Sequence, residues 1–198
     1  GFLGSAYDAD SDGEEGKYYV YSYNEIKDIN SIEKYFELNP NGNWEKKIIL
    51  VEKEKPTKEI LRELLQIRLS RKKPFFDDKT QLDLNCLAIS AFIAADEILP
   101  NNGYQKLAEE FFLKIEKKYI QNKIHHSYSK DIVFIEDYAF LINSLNDLFD
   151  KTMNFKYKDL AKKYSLDAID KFFLNEKNIF QKNPKNNSDV FFKPVDIS

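Results

Sequence analysis

The side chains best suited to chemistry lie in two short runs. The first is Asp77-Asp78-Lys79-Thr80-Gln81-Leu82-Asp83-Leu84-Asn85 and the second is Glu136-Asp137-Tyr138. Paired carboxylates do two kinds of work on sugars. Glycoside hydrolysis needs one protonated acid and one base or nucleophile on opposite sides of the scissile bond. Epimerisation needs acid and base groups flanking a single carbon. Asp77, Asp78 and Asp137 are the candidate catalytic carboxylates on this reading. Lys79, Asn85, Glu136 and Tyr138 are candidate substrate contacts, and Trp44, the one tryptophan, offers a face on which a sugar ring can stack.

Each of these residues also has a structural role open to it. Asp78, with Gln81 three positions later, is an N-cap pattern, and Glu136-Asp137 fall in a first helical turn, where the dipole favours anions. Lys79 is placed to pair with the neighbouring acids, Asn85 to cap, and Tyr138 and Trp44 to fill core. His125-His126 have no third ligand at a convincing spacing along the chain, so neither a metal nor another cofactor is expected. Cys86 falls at a buried helical position and reads as a packed thiol rather than a nucleophile. Asp8, Asp10, Asp12 and Gly13 match the first half of a calcium-binding loop. The glutamate such a loop needs at its twelfth position is here Tyr19, leaving an acidic turn whose carboxylates cap their own backbone.

The elements that must position these groups are mostly helical. Residues 17 to 23 (Lys-Tyr-Tyr-Val-Tyr-Ser-Tyr) read as a strand, followed by short helices over 23–28 and 31–36. Asn39-Pro40-Asn41-Gly42-Asn43 is a turn signal leading to a strand at 47–51. From Thr57, a plausible N-cap, the chain turns helical, with Ile60, Leu61, Leu64, Leu65 and Leu69 on a helical period and cations from Arg68 to Lys73 at the C-terminal end. Two helical hairpins follow. Leu82 to Leu99 pairs with Tyr104 to Tyr119, and Tyr138 to Phe149 pairs with Tyr157 to Phe173. Tyr104-x-x-Leu107-Ala108-x-x-Phe111 recurs as Tyr157-x-x-Leu160-Ala161-x-x-Tyr164, a shift of 53 residues that lays Leu84-Asn85 on Asp137-Tyr138. Repeated hairpins of this length predict a helical solenoid or a closed toroid, with equivalent helix starts on one rim.

Composition bounds the function. The 198 residues are 42% hydrophobic and 15% aromatic, enough for a core. The 33 acidic and 30 basic residues are well mixed, giving a net charge of −3 and no field for nucleic acid or an anionic membrane. No apolar run approaches the roughly 20 residues that span a bilayer. A single cysteine suits a reducing compartment, which makes the cytoplasm the expected location. The chain begins at Gly1 without an initiator Met and ends in what reads as an extended run, Phe191 to Asp196, which suggests a fragment.

Four ordered blocks carry a resemblance. Ser5-Ala6-x-Asp8-Ala9-Asp10-Ser11-x-Gly13-Glu14-Glu15-Gly16-Lys17-Tyr18-Tyr19-Val20 resembles a signature of the YyaL-like, thioredoxin-domain-containing spermatogenesis-associated family. Gly42-Asn43-Trp44-Glu45 with Ile48 to Leu50 is similar to that family's GN-E-G-x-N-I-L block. Arg68-x-x-Arg71-x-x-Pro74-x-x-Asp77-Asp78-Lys79 is similar to its R-x-x-R-x-x-P-x-x-D-D-K block, and Asp137-Tyr138-Ala139-Phe140-Leu141-Ile142 to its D-D-Y-A-F-L block. The resemblance implies a mainly α fold: part of an (α/α)6 toroid akin to N-acylglucosamine 2-epimerases and six-hairpin glycosidases, with short β segments near its start. It implies one domain over 1–198, with loops and short strands over 1–55, helical hairpins over 57–175 and an extended tail over 176–198. It also implies a thioredoxin-like domain upstream as partner and a small carbohydrate as ligand. The chain departs from the family at Leu84-Asn85-Cys86, where the pattern is W-N-G, at Glu136 in place of Asp, and at Lys46 in place of Gly. The expected function is therefore carbohydrate binding or modification of the epimerase or glycosidase type. The alternative is a non-catalytic scaffold for an attached domain or protein partner.

Overall fold

The computed structural model describes residues 1–121, 123–127 and 132–185. Contacts divide the chain into two compact units, one formed by Ala6–Asp77 and the other by Gly1–Ser5 together with the chain from Asp78 onward. The helix over 58–69, grouped above with the hairpins, belongs to the first of these.

In the first unit, β1 (Ala6–Tyr7) later pairs with β4 (Phe76–Asp77), and β2 (Asp10–Ser11) forms a hairpin with β3 (Glu14–Glu15). The two residues between β2 and β3, Asp12 and Gly13, both have positive φ. That is the primed turn favoured by Asp-Gly in two-residue hairpins. Asp8 caps the backbone N–H of Asp10 (3.2 Å), as an acidic turn should. Short helices α1 (Tyr23–Ile26) and α2 (Ile32–Tyr35) lead to α3 (Lys58–Leu69), whose N-cap Thr57 accepts from Ile60 N as expected. Ile26, Ile32, Ile48, Ile60 and Leu64 form this unit's core. Gly42 is fixed by its turn: at φ +75 a Cβ would come within 2.5 Å of the Lys47 carbonyl oxygen.

The two predicted strands do not form as such. Within 17–23 only Tyr21 makes a bridge, to Ile48, and 47–51 contributes isolated bridges alone. The reason lies in α3 and the turn after it. Nη1 of Arg71 donates to the carbonyls of Lys17, Tyr18 and Val20, and Nη2 to Glu25. A guanidinium thus collects the acceptors that a neighbouring strand would have taken.

The second unit is built from α4 (Leu82–Ile98), α5 (Tyr104–Ile115), α6 (Ile135–Thr152) and α7 (Phe155–Phe172). Helix α5 runs on through a π-helical turn, Glu116–Ile120. Helix α4 packs along both α5 and α6, and α6 along α7. The buried face of α4 (Leu82, Cys86, Ile89, Ile93) and that of α6 (Tyr138, Leu141, Leu145, Leu148) follow helical spacing and share one core with Phe112, Tyr157 and Phe172. Leu82 and Ile135, the first residues of α4 and α6, stand 53 apart, the offset of the sequence repeat. A last hairpin, β5 (Phe173–Leu174) with β6 (Ile179–Phe180), folds back where the sequence predicts an extended tail. The predicted run Phe191 to Asp196 lies outside the described residues. Among the described residues, no helix is long and apolar enough to cross a membrane.

Asn85 anchors the first residues of the chain to α4. Its Oδ1 accepts from Leu3 N (2.9 Å), and its Nδ2 donates to Leu3 O (3.2 Å) and Gln81 O (2.7 Å). Phe2 then packs against Phe111 and Tyr119. Removing the amide takes this partner from both Leu3 N–H and Leu3 C=O in a part-buried setting, while Gln81 O keeps the Asn85 backbone N–H (3.2 Å), a loss of about 1–3 kcal/mol. Asn85→Ala should therefore lower unfolding free energy in urea by about that amount, while Leu84→Ala, at an exposed neighbour, stays within about 0.5 kcal/mol of the parent.

Candidate functional site

The candidate site lies where α4 and α6 begin. Its scaffold is a short backbone ladder. His126 N donates to Ile132 O (2.7 Å), Leu82 N donates to His126 O (2.9 Å), and Gln81 forms a bridge with Ser127. This ladder fixes His126 between the two helix starts. The imidazole packs edge-on against Phe134, centroids 4.9 Å apart, so its orientation is set from two sides.

Asp137 completes the arrangement. It is the third residue of α6, and its side chain is wholly buried. Oδ2 accepts from the backbone N–H of Phe134 at 2.8 Å, capping the helix, while Oδ1 meets Nδ1 of His126 at 2.8 Å. On the other side of the ring, Nε2 of His126 lies 3.0 Å from Nε2 of Gln81. An amide nitrogen can only donate, so ring Nε2 is the acceptor there and Nδ1 carries the proton toward Asp137. Gln81 is itself held by Ser5, whose hydroxyl donates to Oε1 (3.2 Å) and to Lys79 O (2.7 Å). Asp83, in the first turn of α4, adds a second carboxylate. One ligand-type atom each from Asp83, His126 and Asp137 lie within 4.8 Å of one another.

The predicted site residues divide. Asp137 stands at the centre of this cluster. Asp78 and Lys79 are exposed just before Gln81. Helix α4 starts only after Gln81, which makes no side-chain cap bond, so the Asp78 capping pattern is not realised. Asn85 is buried and bonded to backbone, as described above. The Tyr138 hydroxyl is held by Lys171 (2.7 Å) and donates to Asp167 (3.1 Å). Burial raises its phenol above the ordinary range. Glu136 pairs with Lys182 (3.4 Å) on an open, largely apolar cleft of about 480 Å³ lined by Ile135, Ala139 and Ile142 from α6 and Ala168 and Ile169 from α7. Asp77 and Trp44 belong to the other unit. There Asp77 pairs across β1–β4 and the Trp44 ring packs against Gly16. Cys86 is buried, and desolvation pushes its thiol far above the usual range, which suits a packed thiol.

Asp83 enters the sequence reading only as part of the acidic run, and His126 only as half of a histidine pair with no third ligand at a convincing spacing. The partners of His126 come instead from the starts of two helices. A usable signal was present: a histidine in the loop between two repeated hairpins, facing the rim on which both first helices begin.

No family model and no curated protein matches the chain. Among solved structures it is similar to that of the cellobiose 2-epimerase from Bacillus thermoamylovorans B4167, at 20% identity and a TM-score of 0.49. The likeness covers 52% of this chain and 29% of that one, so this chain matches under a third of that protein's length.

Burial raises the Asp137 carboxyl above its ordinary value of 3.8, against the opposing pull of Phe134 N–H and His126. Over the interval between the two values, the folded state keeps a proton that the unfolded chain has lost, so stability falls as pH rises through it. Asp137→Asn lacks this titration. The stability advantage of the parent over Asp137→Asn should thus be largest at the acid end and shrink as pH rises, in urea unfolding followed from about pH 3.5 to 7. An advantage that widens with pH would contradict the buried setting.

Proposed function

We propose that the chain is a carbohydrate-binding or carbohydrate-modifying helical-hairpin domain, with the His126–Asp137 pair as its proton-transfer group. The observation that carries the reading is the 2.8 Å contact between Nδ1 of His126 and a wholly buried carboxylate. A carboxylate so placed fixes the tautomer and stabilises the imidazolium that forms when Nε2 takes a proton. Nε2 becomes the working nitrogen once substrate displaces the Gln81 amide from it. Asp78 and Lys79, exposed beside Gln81, are the proposed contacts to sugar hydroxyls. The four sequence blocks described above support the carbohydrate class.

Within that class, the engagement of Asp137 favours isomerisation or epimerisation over glycoside cleavage. Cleavage needs two carboxyl groups free to act on the substrate, whereas both oxygens of Asp137 are taken by His126 and Phe134. One imidazole backed by an acid suits removal of a proton from carbon beside a carbonyl. The scaffold reading is supported by a different observation: the polar atoms of Asn85 and Tyr138 are already bonded within the protein.

The two readings part in deuterated water. Aldoses and β-linked disaccharides incubated with the protein should gain deuterium at C2, followed by proton NMR. His126→Gln should slow exchange by about 10²–10⁴-fold, the usual contribution of a positioned acid/base group. A sugar bound without exchange should still raise stability, by about 2.7 kcal/mol at a hundredfold excess over Kd. Neither exchange nor stabilisation, in a protein that melts cooperatively, would move the assignment to a scaffold.

A further inference from the structure

We infer that Asp83, His126 and Asp137 form a binding site for one first-row divalent transition ion. It shares the residues of the proposed proton-transfer site, but rests on their mutual geometry and not on a sugar substrate. The three side chains come from separate places, the first turn of α4, the loop segment at 126 and the first turn of α6, and converge within 4.8 Å. A tetrahedral ion bound at about 2.0–2.2 Å sets its ligands about 3.3–3.6 Å apart, so closure asks Nδ1 of His126 and Oδ1 of Asp137, now 2.8 Å apart, to part slightly and the widest pair to draw in by at most about 1.5 Å, within reach of side-chain rotation.

The surroundings already hold each ligand by a second contact. Phe134 N–H fixes Oδ2 of Asp137, leaving Oδ1 facing the ring; Leu84 N–H fixes Oδ1 of Asp83 (2.8 Å); and Gln81 holds the far nitrogen of His126. Outer partners of this kind, one per ligand, orient metal ligands and hold the ring in place. One imidazole and two carboxylates make a borderline donor set that suits zinc, manganese or iron, and three protein ligands leave a position for water or substrate. Binding is a substitution without redox change. The Nδ1 proton is lost to solvent and one is taken up from solvent at Nε2, so the ring stays neutral with no net proton released, and the ion takes the Nδ1 lone pair this frees. Nε2–H then donates to Oε1 of Gln81 once the amide turns over. The turned amide nitrogen is left facing the Ser5 hydroxyl, so Gln81 stays fully bonded in both states.

The test uses the full chain freed of metal with chelator, titrated calorimetrically with zinc chloride and then manganese chloride, without sugar. The expected result is one zinc ion per chain, with affinity at least tenfold weaker in Asp83→Asn and in His126→Gln. His125→Gln, at the adjacent ring, should bind like the parent. Asp83 is only part-buried, so its variant is expected to keep the fold, and a melting curve on each protein checks this. No binding by a cooperatively melting parent would overturn the site. So would zinc binding that survives both Asp83→Asn and His126→Gln, or that is lost in His125→Gln. Because no sugar is present, failure here leaves the deuterium-exchange result to stand or fall alone.

Discussion

A single contact, the His126 imidazole on the Asp137 carboxylate, joins three parts of the second unit. It ties the loop after α5 to the start of α6, and through Gln81 and the Leu82–His126 hydrogen bond it ties both to the start of α4. A wholly buried carboxylate is costly unless its oxygens are paired. Here one oxygen is paired with a helix-start N–H and the other with a ring N–H, so capping, loop placement and the chemistry of the imidazole depend on the same side chain. Loss of that pairing would expose each to the cost of an unsatisfied buried group.

The two hairpins solve the same problem differently. At the start of α4 the buried polar residue is neutral Asn85, which grips the backbone of Leu3 and so joins the first residues of the chain to the helix. At the start of α6, Asp137 stands one position earlier in the repeat and grips a side chain instead. An amide bonded to backbone on both of its faces leaves little for a ligand. A carboxylate bonded to an imidazole passes its effect to the other nitrogen of that ring. The chemistry of the repeat is thus concentrated at the second hairpin.

Much of the helical part was legible. Apolar spacing located α4 to α7, Pro100 to Gly103 marked the end of α4, and the 53-residue echo matched the starts of α4 and α6. Helix period is a local property and survives without knowledge of the partner. The aromatic run at 17–23 was misleading because its carbonyls are taken by Arg71, more than fifty residues away. Asp137 was legible as a rim carboxylate, and Asn85 as a polar residue at the head of an apolar helix. His126 was not, since its importance depends on two helix starts that only the fold brings beside it. Asp77 and Asp78, adjacent in sequence, fall in different units.

The most direct test of this account is the protonation of the His126 ring, read from its nitrogen shifts in long-range proton–nitrogen correlation spectra of labelled protein. In protein freed of metal with chelator, the account predicts His126 protonated at Nδ1. It predicts a switch to Nε2–H in Asp137→Asn, where Phe134 N–H holds the amide oxygen and the amide nitrogen turns toward Nδ1. His125 in the same spectra should be unchanged by that substitution. A His126 protonated at Nε2 in the metal-free parent, or one whose tautomer ignores Asp137→Asn, would contradict it.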